Sequence, residues 1–262
     1  MDAAAIRDLL ARMGDAAAAE TLPRFRSALR VADKGGAAGF DPVTEADREA
    51  ERAIRAILGA ERGGDGIVGE EFGNENQDAP WQWIVDPVDG TRAFVSGLPV
   101  WGTLVGLYRD GVPVAGLVDQ PFTGERYVGV VGEGATLALR GAAPVAVRAA
   151  AVTDLSKATV MTTDPGLFAG AEAEAFQRLS RACRLRRYGC DCYAYAMLAA
   201  GHVDLVVESG LHIYDIAAPL ALVRAAGGVV TDWSGGDASQ GGQALAAANP
   251  RLHEAALRML RG

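Results

Sequence analysis

Cysteine is scarce in this 262-residue chain, and so are an excess of positive charge and any long apolar run. The three cysteines, Cys183, Cys190 and Cys192, crowd into one segment. They are an odd number and lack the spaced pairs of a disulfide framework or a zinc site. Reduced thiols are expected, with Cys190 and Cys192 serving as small packing residues. Lys and Arg total 25 against 33 Asp and Glu, a formal net charge of −8. Such a balance repels polyanions, so neither nucleic acid nor a membrane surface is expected as a partner. No stretch approaches the roughly 18 uninterrupted apolar residues of a membrane span, and no basic segment leading into an apolar run opens the chain. A cytoplasmic location is the expectation. Internal repeats and low-complexity linkers are also absent. What the chain has is apolar bulk, 50% of its residues, with abundant Gly and Ala, enough for one large core or two packed halves.

Residues 3 to 20 are Ala-rich and predict a helix. A second helix is predicted near Thr44, where Thr44 and Asp47 form a capping-box-like pair ahead of Ala50, Ala53, Ile54, Ile57 and Leu58. A Gly-containing loop, Asp33 to Phe40, lies between them. From Trp83 to about Leu139, short Val-rich runs are punctuated by Arg109-Asp110-Gly111, the Pro121 to Gly124 turn and Gly132-Glu133-Gly134, which predicts antiparallel strands and hairpins. After about residue 150 the rhythm alternates. Strands are predicted near 158–163, 203–208 and 228–231, with helices near 171–183 and 191–200 and from about Asp215, an α/β order that predicts a parallel sheet. Asn249 as N-cap and Pro250 at the first helical position announce a closing helix. The fold class is therefore mixed, an α+β unit over 1–150 and an α/β unit over 151–262.

Four acidic clusters stand out: Asp47, Glu70 with Glu71, Asp86 with Asp89, and Asp215. Each has an ordinary explanation, as helix N-terminal charge, solvated turn or N-cap. The segment around Asp86 resists it. There a Trp-Ile-Val strand runs into two acids, with Pro87 and Gly90 fixing a tight turn between and after them. Two carboxylates at short range repel and raise each other's pKa unless a cation lies beside them. Hard divalent ions, magnesium above all, take carboxylate and carbonyl oxygens in this way. The backbone N–H groups of Gly90 and Thr91 then open a short helical turn suited to phosphate. An anionic substrate on an acidic chain needs such a local reversal of charge.

Trp83-Ile-Val-Asp-Pro-Val-Asp-Gly-Thr91, preceded by Gly69-Glu70-Glu71 and followed by Tyr214-Asp215-Ile216-Ala217-Ala218 and Ala226-Gly227-Gly228, resembles the inositol monophosphatase family from about Val43 to Trp233. The resemblance implies a layered αβαβα sandwich, with an antiparallel sheet in the first half and a smaller, mostly parallel sheet in the second. It implies that Glu70, Asp86, the Val88 carbonyl, Asp89 and Asp215 bind magnesium, two or three ions in all. Thr91 and Asp47 would orient and activate the attacking water, with Glu70 serving catalysis as well as metal. Gly90 and Thr91 would bind phosphate. A homodimer is also implied. The family usually carries Trp where this chain has Tyr214, and the ring is expected to support the site.

Members act on inositol phosphates, sugar bisphosphates, phosphoadenosine phosphate or histidinol phosphate, and fold alone does not separate them. The run from Phe94 to Leu107 and Arg187-Tyr-Gly-Cys-Asp-Cys-Tyr193 are similar to the histidinol-phosphate phosphatase branch, which serves histidine biosynthesis. Asp191 fits a cationic leaving group, and Glu208 matches a position that contacts the leaving alcohol. Arg187 would steer the phosphate or restrain Asp191. The ordinary alternative has Asp191 capping the next helix and Arg187 pairing with a surface acid. Inositol monophosphate or a broader range of small esters is the second substrate reading. A catalytically silent binding protein is the remote one, at odds with Asp47, Glu70, Asp86, Asp89, Thr91 and Asp215 all being present.

Overall fold

A computed structural model describes residues 1–28, 31–33, 35 and 42–262, so most of the expected Asp33–Phe40 loop lies outside the described residues. The first helix, α1 (Ala3–Thr21), begins where Asp2 accepts a hydrogen bond from the Ala5 N–H at 2.8 Å. Ile6, Leu9, Leu10, Met13 and Ala17 recur at helical spacing and form its buried stripe. Two short strands, β1 (Val31–Asp33) and β2 (Pro42–Thr44), pair antiparallel ahead of α2 (Glu45–Arg62). The expected capping box is formed: the Thr44 hydroxyl accepts from the Ala46 N–H, and Asp47 accepts from the Thr44 N–H at 2.9 Å.

The first half builds an eight-stranded sheet from β3 (Gly66–Gly69), β4 (Gly73–Glu75), β5 (Trp81–Asp89), β6 (Gly102–Arg109), β7 (Val112–Gln120), β8 (Glu125–Val130), β9 (Gly134–Leu139) and β10 (Val145–Val147), with the short helix α3 (Thr91–Val95) after β5. The strand order is β10-β9-β8-β7-β6-β5-β3-β4. All pairings are antiparallel except β3 with β5. The chain reverses twice around β4, so β5 returns in the direction of β3.

The second half contains β11 (Thr159–Thr162), α4 (Ala171–Ala182), β12 (Leu185–Tyr188), α5 (Asp191–Ala199), β13 (Leu205–Leu211), α6 (Ile213–Ala225), β14 (Val229–Thr231), β15 (Gly242–Ala247) and α7 (Pro250–Arg261). Its sheet has the order β12-β11-β13-β15-β14. The expected mostly parallel sheet is formed: β12, β11, β13 and β14 run in one direction, and β15 runs against them. β12–β11 and β11–β13 are parallel, whereas β15 runs antiparallel to both neighbours. Parallel strands need a crossover, usually helical, and the segment from Thr231 to Gly242 supplies no helix.

The layers run α1 and α2, large sheet, α5 and α6, small sheet, α4 and α7, which is the αβαβα sandwich. Along β5 the side chains alternate: Trp83 and Val85 join the core under α1 and α2, and Ile84 points to the face covered by α6. Gly106, Gly116 and Gly129 are direct cross-strand partners on β6, β7 and β8. A Cβ on Gly106 would lie 2.7 Å from Ala217 Cβ, one on Gly116 2.8 Å from Ala218 Cα, and one on Gly129 2.6 Å from Leu222 Cα. This glycine stripe lets α6 lie directly on the large sheet, and so brings the start of α6 to the end of β5.

Candidate active site

β5 ends in a bulge, with the register against β6 shifting between Asp86 and Asp89. The shift re-aims side chains that would otherwise alternate. The Val88 N–H donates to Asp86 at 3.1 Å, and the Thr103 hydroxyl donates to the Pro87 carbonyl at 2.8 Å. Gly90 then takes φ +81°, a left-handed conformation that favours glycine, and caps α3. From the other side, α6 supplies Asp215, which accepts from the His212 N–H at 2.6 Å. Asp215 is thus the third helical residue behind a His212 cap, and not itself the N-cap.

One oxygen from each of Asp86, Asp89 and Asp215 lies within 4.8 Å of the other two. Burial first, then Glu70, Asp89 and Asp215, push the Asp86 carboxyl well above its ordinary range. Asp89 is pushed up by burial and then by Asp191 and Asp215. Three hard oxygen donors that resist ionising together are the donor set a magnesium ion fits. Glu70 stands outside this triad but lines the cavity beside it and reaches hydrogen-bonding range of Asp86. The carboxylate of its neighbour Glu71 lies 3.9 Å from the Arg48 guanidinium, and the Glu71 N–H donates to Glu51 at 2.8 Å.

Thr91 joins the motif to α2. Its hydroxyl donates to the Val88 carbonyl at 3.0 Å and lies 3.5 Å from the Asp47 carboxylate. A carbonyl has two lone pairs, so Val88 retains one for another partner. Asp47 also accepts from the Thr44 hydroxyl at 2.6 Å, and burial raises its pKa to about 6.

The triad opens into a cavity of about 280 Å³ lined by Glu70, Asp89, Thr91, Asp191, Glu208 and Asp215 among others. Asp191 is the first residue of α5, after Cys190, with φ +41°. It does not cap the helix with its side chain. Its carboxylate instead packs over the Gly90 turn, where an added Cβ would stand 3.2 Å from Asp191 Cγ. The Cys192 N–H donates to Asp89 at 2.7 Å, tying the same segment to the triad. Glu208 on β13 accepts from the Thr163 N–H at 2.7 Å, the Thr163 hydroxyl at 3.0 Å and the Thr162 hydroxyl at 3.2 Å. Burial still carries its pKa to about 7. All three cysteines are free thiols.

Arg187 is not brought to the cavity. It lies on β12, an exposed edge strand, and its charge acts on the Cys190 thiol. Arg92 and Tyr195 are among the cavity-lining residues that the sequence reading passed over. Arg92 follows Thr91 directly, an adjacency that could have exposed it. Tyr195 carries a buried hydroxyl without a hydrogen-bond partner among the described residues, and nothing in its sequence position signals this.

The profile of the inositol monophosphatase family matches residues 4–261. A chloroplastic bifunctional phosphatase of Arabidopsis thaliana is 40% identical over 80% of this chain, a stretch spanning 59% of that relative. A histidinol-phosphatase of Mycobacterium tuberculosis is 38% identical over 97% of both chains. Among solved structures, an inositol monophosphatase from Zymomonas mobilis superposes with a TM-score of 0.87 over the whole of both chains, at 38% identity. The enzymes of this family are metal-dependent, generally on magnesium, and the Asp86, Asp89 and Asp215 cluster agrees with that. Fold, acidic site and sequence agreement over nearly the full length lead to one conclusion: this chain belongs to the inositol monophosphatase family and is a phosphatase, a phosphoric monoester hydrolase.

Proposed function

We propose that this enzyme hydrolyses L-histidinol phosphate to L-histidinol and phosphate in a magnesium-dependent reaction, using an activated water and no covalent intermediate. The observation that carries the substrate is a pair of carboxylates, half-buried Asp191 and buried Glu208, on the cavity wall beside the acidic triad. A cationic leaving group gains from them, whereas an uncharged polyol does not. The second reading is inositol 1-phosphate or a broader set of small esters, supported by the equal identity to an inositol monophosphatase.

Asp86, Asp89, Asp215, Glu70 and the Val88 carbonyl would hold the ions, two or three in number. Magnesium held there would supply charge neutralisation of the phosphate and a lowered pKa of coordinated water. The rest falls to the chain. Thr91 and Asp47 form a relay in which the threonine hydroxyl orients the attacking water and the Asp47 carboxylate takes up the proton. The Gly90 and Thr91 N–H groups face the phosphate, and Asp191 and Glu208 hold the leaving amino alcohol. A homodimer is the proposed assembly. The deciding experiment compares kcat/KM on histidinol phosphate and inositol 1-phosphate with magnesium present. Preference for the inositol ester would overturn the substrate assignment while leaving the phosphatase intact.

A further inference from the structure

An anionic ester entering this cavity meets Glu70, Asp89, Asp191, Glu208 and Asp215, and Arg92 is the one Lys or Arg beside them among the described lining residues. Its placement is built into the turn. Gly90 has no side chain, so Asp191 can close over the 89–92 segment with its carboxylate against the Gly90 backbone. The Cys192 N–H bond to Asp89 clamps the α5 start in that place. Asp191 also adopts a left-handed backbone conformation, φ +41°, of the kind that in non-glycine residues clusters at functional sites. Against the burial that disfavours its ionised form, the charge that favours it is Arg92, two residues beyond Gly90. Arg187, the arginine expected from the sequence to steer phosphate or restrain Asp191, is exposed on an edge strand outside the cavity.

We propose that Arg92 recruits the phosphate group at the cavity rim, with Asp191 as the counter-ion that holds it there, in place of the role expected for Arg187. The inference rests on the phosphatase reading above. A guanidinium presents a planar fork matched to phosphate oxygens, and on an exposed rim it also attracts the dianion before contact. The Asp191 carboxylate has lone pairs enough for both Arg92 and a leaving-group ammonium. One carboxylate thereby links the two recognised ends of the substrate.

The test measures KM and kcat on histidinol phosphate and p-nitrophenyl phosphate, and the inhibition constant of inorganic phosphate, for the magnesium-loaded wild type and Arg92→Gln. Because Arg92 contributes through a solvent-screened charge, both KM values and the phosphate inhibition constant should rise about three- to tenfold, with kcat nearly unchanged. The fall of wild-type kcat/KM with added salt should flatten in Arg92→Gln. Arg92→Lys keeps the charge without the fork and should lie between the two. Unchanged phosphate inhibition in Arg92→Gln, or a loss confined to kcat, would overturn the inference. So would a loss carried by Arg187→Gln and not by Arg92→Gln. Failure of the underlying reading looks different: the wild type would then hydrolyse no phosphate monoester at all.

Discussion

A carboxylate packed on the Gly90 turn and a carboxylate in the acidic triad should fail in different ways when neutralised. Asp191→Asn leaves the triad intact and removes a charge-assisted bond to a cationic leaving group, worth roughly 1.5–3 kcal/mol. On histidinol phosphate kcat/KM should fall by about one to two orders of magnitude, while p-nitrophenyl phosphate hydrolysis should lose no more than the about three- to tenfold that releasing Arg92 costs. An equal fall on both esters would show that Asp191 serves the fold or the metal site. Asp89→Asn, in contrast, should nearly abolish kcat on every ester without unfolding the protein, because it relieves repulsion from Asp191 and Asp215 in the metal-free state. Retained specific activity per folded molecule would refute the ligand role. Asp47 and Thr91 were legible as a pair only through the family resemblance. They are 44 residues apart, and what joins them is the approach of the α2 start to the end of β5.

At the scale of elements, α6 contributes Asp215 through its first turn and is seated by the glycine stripe beneath its middle. Gly116→Ala would drive a methyl group to within 2.8 Å of the Ala218 Cα, backbone that cannot swing aside. Overpacking of this kind costs typically about 1–3 kcal/mol. Urea unfolding should show that loss, and magnesium affinity by calorimetry should weaken as Asp215 shifts against Asp86 and Asp89. Unchanged stability and affinity would mean that α6 relaxes without moving the site. The helices were legible because caps and 3.6-residue spacing are local: Asp2, Thr44 and Asn249 each accept a backbone N–H near their own helix start. β12 and β15 were not, since their short runs carry no alternation to distinguish them from loop. The stripe itself is invisible until register aligns three glycines that are 10 and 13 residues apart in sequence.

For the molecule as a whole, the buried acids make stability depend on pH and metal together. Glu208 has a folded pKa raised from 4.5 to about 7, so the native state binds a proton that the unfolded chain releases earlier. Its protonated form is favoured by folding at low pH, and stability is lost as pH rises from about 4.5 through 7. The metal-free protein should therefore melt at a higher temperature at pH 5 than at pH 8, and Glu208→Gln should shrink the difference. Magnesium should raise the melting temperature most at the higher pH, where the triad is ionised, and EDTA should abolish turnover. Activity surviving exhaustive chelation would refute the mechanism. By itself the sequence determined the helices with their caps, the Asp86–Thr91 turn and the kind of chemistry, because each is written in residues close together along the chain. Only the tertiary structure decided which acids come together, that Arg92 and not Arg187 reaches the cavity, and that Tyr195 lines it. Those outcomes depend on strand register and on how closely α5 and α6 approach the large sheet, which are set by packing between segments distant in sequence.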